Sequence, residues 1–226
     1  MLLGADIAKL NTKKSTEIYL LNIGKTMIIQ YIIDEPPKNT SNGRGNWILH
    51  LKEKQLLKQG GAIESAFDWD TKSQLRIHFH RFAARNMPMD DDGLCIAFKP
   101  VRDGLIDSLS EHFNKKFDDG NQELFHFVYS QSKAANPVFN DTILITIDLM
   151  AEFSPYSSVV MRWGYQPAIM SRSGLIATLG ELRATKINEI ADEIKRSRTG
   201  TKKVANLEKE LKNKQKAIAL CVPKSS

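Results

Sequence analysis

The densest chemistry in the chain lies in one run, Asp90-Asp91-Asp92-Gly93-Leu94-Cys95-Ile96-Ala97-Phe98-Lys99-Pro100-Val101-Arg102-Asp103-Gly104. Clustered carboxylates repel one another, so a site that gathers several usually needs a cation. Oxygen donors with few imidazoles or thiols nearby favour Mg2+, with Mn2+ as a substitute; such ions activate water and stabilise charge on a phosphodiester oxygen. Lys99 adds an ammonium able to stabilise a transition state or a leaving group. Downstream, Asp118-Asp119-Gly120 reads by itself as a turn; paired with the upstream aspartates it becomes a candidate third ligand. The plainer use of an Asp run at a helix start is an N-cap that complements the dipole, and one of the three is expected to serve so. Three in succession exceed what a cap requires.

Other chemistries fail on spacing. As an EF-hand loop with Gly93 in the sixth position, Asp90 and Asp92 would fit positions three and five, but Pro88 would take position one and Lys99 position twelve, where Glu is required. Gly24-Lys25-Thr26 is not a P-loop, because the earlier glycine would have to fall at Tyr19. Cys95 and Cys221 have no Cys or His at zinc-ligand spacing, and Cys95 reads as a small core residue. His78 and His80 are expected to share one exposed strand face, as a metal pair or, more commonly, as unliganded histidines.

These residues need elements to hold them. Read as a helix, Leu94, Phe98, Val101, Leu105 and Leu109 form an apolar stripe, and Asp92, Lys99 and Asp103 gather within about 40° on the opposite side. Pro100 removes a backbone donor and predicts a kink near Ile96. Strands are expected from Met27 in the β-branched run closed by Pro36-Pro37, at 74–82 from the alternation of Leu75, Ile77 and Phe79, and at 123–130 and 142–149. A further helix is expected at 47–58. The body is therefore α+β, with about four or five strands around a central helix.

Beyond residue 150 the character changes: a Ser/Pro-containing linker precedes apolar residues at helical spacing, Leu175, Leu179, Leu182, Ile187, Ile190 and Ile194, then Val204, Leu207, Leu211 and Ile218. A helical hairpin or a coiled-coil dimer arm both fit. Residues 176–226 hold 12 Lys/Arg against 6 Asp/Glu, leaving 20 against 20 before them, so the formal charge of +6 sits entirely in this segment. A basic segment on a neutral body suits an anionic partner such as nucleic acid, or is a solvated helical face. No run of about 18 apolar residues exists, and the N-terminus lacks a secretory signal, so the expectation is a cytoplasmic chain with no membrane partner.

The order strand, EPP loop, strand, Asp90-Asp91-Asp92, Lys99-Pro100-Val101-Arg102-Asp103-Gly104, then Asp118-Asp119-Gly120 before another strand resembles the RusA-like Holliday junction resolvases, including their phage-encoded members. The resemblance covers residues 27–149. It implies a homodimeric α+β endonuclease of DNA recombination and repair that binds branched DNA and cuts opposed strands of a four-way junction with Mg2+. Carried over by motif, Asp90 and Asp92 match the D-x-D metal ligands, Asp119 the later acidic ligand with Asp118 as its alternate, and Lys99 the catalytic lysine. Two departures stand out: Gly93 occupies the place of an Asn, and the Asp-to-Lys interval is three residues longer, which at two helical turns still leaves Lys99 on the face of Asp92. On this reading residues 1–26 are an N-terminal extension, 27–150 the nuclease core and 151–226 a basic, mainly helical extension. Arg44, Arg85 and Arg102 are candidate phosphate contacts, with Arg102 able instead to pair with a carboxylate. The alternative is a non-catalytic DNA-binding module that keeps the same fold.

Overall fold

A computed structural model describes residues 7–10, 18–23, 26–34, 69, 72–169, 172–197 and 202–221. Among them run seven strands, β1 (Ile7–Leu10), β2 (Ile18–Ile23), β3 (Thr26–Ile33), β4 (Leu75–Ala83), β5 (Phe125–Lys133), β6 (Thr142–Leu149) and β7 (Ser158–Val160). Three α-helices accompany them, α1 (Asp91–His112), α2 (Arg172–Arg196) and α3 (Lys202–Ala219). The fold is mixed α+β. One sheet has the order β1-β2-β3-β6-β4-β5-β7. The expected EPP loop, the helix at 47–58 and Arg44 lie outside the described residues.

The unit that matters for the site is β4-α1-β5. β4 and β5 are parallel neighbours, with Leu75 opposite Phe125 and Ala83 opposite Lys133, and α1 makes the crossover that parallel strands require. The odd-numbered side chains of β4, Leu75, Ile77 and Phe79, are buried under α1 with Phe125, Phe127 and Tyr129 of β5. From the helix come Leu94, Phe98, Val101, Leu105 and Leu109, the whole stripe read from the sequence. Stacked rings knit the two layers: Phe79 lies 5.4 Å from Phe98 and 5.7 Å from Tyr129.

Pro100 does not divide the helix. α1 is one element of 22 residues with Pro100 inside it. The residue is buried, and packing of the turns on either side outweighs the lost hydrogen bond and the clash, a cost of about 3 kcal/mol.

The other face of the sheet is covered in two ways. Near the C-terminal ends of β3 and β4, Ile32, Phe82 and Leu144 pack with Val138 and Phe139 against Leu175 and Leu179 of α2. Further along it is polar: Gln30 Nε2 donates to Thr146 Oγ1 at 2.9 Å and to the Ala168 carbonyl at 2.8 Å. Arg76 pairs with Asp148, Nε to Oδ1 at 3.0 Å.

The C-terminal helices pack on one another and are tied to the sheet. Arg183 of α2 is buried; its Nε and Nη2 donate to Asp34 Oδ1 at 3.1 and 3.0 Å, and its Nη1 to the Ala217 carbonyl of α3 at 3.0 Å. Lys214 of α3 meets the other oxygen, Oδ2, of the same carboxylate at 3.1 Å. One buried aspartate at the end of β3 therefore anchors both helices. Of the two arrangements expected for this segment, the structure has the hairpin.

Candidate functional site

α1 starts where the sequence says it should. Asp90 is the N-cap, in extended conformation (φ −64°, ψ 164°), and its Oδ1 accepts from the Gly93 amide at 2.8 Å. Asp91 and Asp92 occupy the first turn, where negative charge complements the helix dipole. All three are exposed. One of the three does serve as the cap, and Gly93, which is buried, supplies the capped amide.

The chain entering this turn is held by a side chain that nothing in the sequence singled out. Gln131, on the α1-facing side of β5 and 3% exposed, clasps the backbone of Met89: its Oε1 accepts from the Met89 amide at 3.0 Å and its Nε2 donates to the Met89 carbonyl at 2.6 Å. Arg81 of β4 adds a second tie, Nη1 donating to Gln131 Oε1 at 3.1 Å and to the Met87 carbonyl at 3.3 Å. A primary amide that both donates to and accepts from one residue's backbone copies a β-bridge, so the acidic turn is fixed to the sheet one residue before it begins.

Two turns along α1 lies a second charged group. Lys99 Nζ is 3.4 Å from Asp103 Oδ1 and 3.9 Å from Asp119 Oδ2. Arg102 Nη2 is 2.6 Å from Asp119 Oδ2, and its Nη1 donates to Tyr129 Oη at 3.1 Å. The guanidinium also lies over the ring of Phe127, 5.3 Å from its centroid. Burial, opposed by the adjacent Arg102, pushes the Tyr129 phenol above its ordinary range, so it stays protonated at neutral pH. Asp119, twenty positions from Lys99 in sequence, is thus brought against two cations of the helix.

Of the residues expected to act together, Lys99 and Asp119 converge, and Asp103 joins them as its helical phase requires. Asp90 and Asp92 sit at the start of the same helix, and seven residues of α-helix separate Asp92 from Lys99 by about 10 Å along the axis. Among the described residues no group of three or more His, Cys, Asp or Glu is close enough to hold a metal ion. Asp90 commits one oxygen to its cap, and Asp119 is engaged through one oxygen by Arg102 and Lys99. Asp118, the alternate to Asp119, is exposed, and its Oδ1 accepts from the Gly120 amide at 2.9 Å, which is the turn chemistry of Asp-x-Gly. Arg102 takes the carboxylate-pairing role, and Arg85 is exposed beyond the end of β4.

The two histidines do not face solvent as a bare pair. His78 Nε2 and His80 Nδ1 each lie 2.6 Å from Ser130 Oγ, and His80 Nε2 is 3.0 Å from Ser132 Oγ. Burial, reinforced by Arg76, lowers the His78 pKa to about 4; burial, reinforced by His78, lowers that of His80 to about 3. Both rings are neutral at pH 7; His78 spends Nε2 on a hydroxyl and His80 spends both nitrogens, which leaves His80 no free ring nitrogen for an ion.

No family model, curated protein or solved structure matches the chain. Among the described residues no helix is long and apolar enough to cross a membrane.

Proposed function

We propose that the chain is a structure-selective endodeoxyribonuclease acting on branched DNA, of the RusA-like kind, with Asp90, Asp92, Asp119 and Lys99 at its centre. The observation that carries this reading is the convergence on the β4-α1-β5 unit: the acidic turn opens the helix, and the loop before β5 folds back to bring Asp119 onto Lys99 and Arg102. Charges of both signs within about three turns of a capped helix start are suited to a phosphodiester, whose anion the cations attract and whose attacking water a carboxylate can orient. Lys99, whose side chain is 56% exposed, is the cation a substrate phosphate can reach; Arg102, largely buried, keeps Asp119 in register. A divalent cation, Mg2+ or Mn2+, enters the proposal from the resemblance alone, as does action as a homodimer in recombination or repair.

The commitment of Asp119 to Arg102 and Lys99 favours one other reading, a DNA-binding module that keeps the fold and does not cut. One experiment separates the two: cleavage of a synthetic four-way junction against linear duplex, with and without Mg2+, by the wild-type chain and Asp92→Asn. Junction-selective cutting that needs Mg2+ and disappears in the variant is the expected result. Junction binding with no cutting at any Mg2+ concentration would replace the nuclease with the binding module.

A further inference from the structure

Helix α3 carries six lysines, and the fold divides them. Lys214 is turned inward onto Asp34, and Lys203 Nζ lies 2.8 Å from Glu193 Oε1 of α2. Lys202, Lys209, Lys212 and Lys216 are exposed. At 100° per residue these four fall within an arc of about 80°, with Glu208 and Glu210 outside it on either side. They form a ridge of one sign about 21 Å long by the helical rise. The opposite side of α3 is spent inside the hairpin: Val204 is buried, and Leu207, Leu211 and Ile218 are half-buried.

We propose that this ridge is a docking surface for the phosphate backbone of a DNA arm. Duplex DNA carries about one charge per 1.7 Å, so a 21 Å ridge faces on the order of a dozen phosphates. A helix that binds a lipid surface must offer an apolar face to the acyl boundary, and the apolar face of α3 is already used. The ridge also lacks the aromatic or aliphatic anchors that centre a protein interface. Its mounting suits a load-bearing contact, because Arg183 and Lys214 fix both helices of the hairpin to Asp34 at the end of β3. That end of the sheet, beside the start of β6, is also where β4 runs out and α1 begins. The acidic turn and the anchored Lys212–Lys216 end of the ridge therefore share one end of the sheet while their helices lie on opposite faces, and a branched substrate, whose arms leave in different directions, can touch both. The inference rests on the DNA reading above and adds a surface that cleavage itself does not require.

The test is equilibrium binding of a labelled four-way junction and a linear duplex by the full chain in EDTA, over a range of salt. The ridge variant is Lys202→Gln with Lys209→Gln, Lys212→Gln and Lys216→Gln; the control is Lys195→Gln with Lys203→Gln, lysines already paired with Asp192 and Glu193. If all four ridge lysines contact phosphate, the slope of log K against log salt falls in magnitude by about 3.6, while the control leaves it in place. Glutamine keeps the helix, and an unchanged melting curve confirms it. An unchanged slope in the ridge variant overturns the proposal, as does an equal loss per charge in the control, which would mark a diffuse effect of net charge. So would ridge-dependent binding to vesicles of anionic lipid without a change on DNA. Because binding is read without metal, failure of the ridge is distinct from failure of the nuclease reading, which would show as intact binding with no cutting.

Discussion

Replacing Gln131 by Leu keeps the side-chain volume of β5 nearly constant and removes one thing, the two-way clasp on Met89. The Met89 amide and carbonyl lose partners at 3.0 and 2.6 Å, and Arg81 loses one at 3.1 Å. Met89 is half-buried, so each of its orphaned groups falls at the lower end of the cost of an unmade hydrogen bond, and the total is about 2 kcal/mol. For a chain of this size that lowers Tm by about 4–8 °C. If the chain is the nuclease proposed above, the larger effect is on cleavage, since a shift of about 1 Å in a catalytic group costs on the order of 100-fold. In Gln131→Leu the amides of Met89 and Gly93 should exchange faster by NMR, and junction cleavage at saturating DNA should fall with little change in KM. Gln131→Glu, which still accepts from the Met89 amide and Arg81 but sets a carboxylate against the Met89 carbonyl, should lie between. A Leu variant whose Met89 amide stays protected and whose cleavage is intact would refute the positioning role; loss of protection alone, with a cleaving wild type, would confine Gln131 to stability.

The observed cap and the proposed functional role of Asp90 are separable. Asp90→Asn keeps the cap and loses the charge, whereas Asp90→Ala loses both, so thermal melts should show about 1 kcal/mol lost only in the Ala variant; cleavage surviving in Asn but not in Ala would make Asp90 a cap and nothing more. Arg183→Met leaves Asp34 with Lys214 as its cation and deprives the Val138 and Ala217 carbonyls of donors. Urea titration should show a loss of about 3–5 kcal/mol, much of it recovered when Asp34 is also replaced by Leu, and a loss under 1 kcal/mol would show that the anchor is not what joins the helices to the sheet. His78 and His80 make stability depend on pH. Their folded pKa values, about 4 and about 3, lie below the ordinary value of 6.5, so the unfolded chain binds more protons and stability is full above pH 6.5. It then falls with decreasing pH by up to about 1.4 kcal/mol per unit for each histidine. Urea midpoints at pH 7.5 and 5 measure this, and His80→Gln should flatten the dependence; an unflattened curve assigns it elsewhere.

Much of the fold is legible in the sequence where one periodicity dominates. Strand β6 falls on the expected residues, β4 lies within one residue of its expected bounds, β3 starts one residue before the expected Met27, and all five residues of the α1 stripe are buried. The alternation in β4 predicted which side chains face α1. It could not show that the other face is also covered, and so His80, expected on an exposed face, is 1% exposed. Strand β7 was read as part of a linker because three residues carry too little pattern. Among the described residues its partner is β5, with Phe127 opposite Ser158, a pairing decided about thirty residues away. Pro100 is the converse case: a residue that disfavours a helix interior lies inside the continuous α1, with buried residues on both sides of it.

Within the candidate site, the carboxylate run of Asp90 and Asp92, the cap and the shared face of Lys99 and Asp103 are legible from residue type and spacing, because a helix start and a helical phase are local properties; the choice of Asp119, which by itself reads as part of a turn, comes from the family resemblance. Tertiary structure decided what those charges meet. It set Asp119 against Arg102 and Lys99, put Tyr129 and Phe127 behind the guanidinium, made Gln131 the clasp of the acidic turn, and turned Lys214 inward while leaving four lysines of α3 facing out. None of these partners is near in sequence, and a polar side chain in a strand reads the same whether it ends in water or on a backbone amide. The sequence by itself determined which groups could do chemistry and the periodicity of the elements that carry them; only the closure of the sheet between its helices decided which of those groups are neutralised, which are pinned and which are left to act.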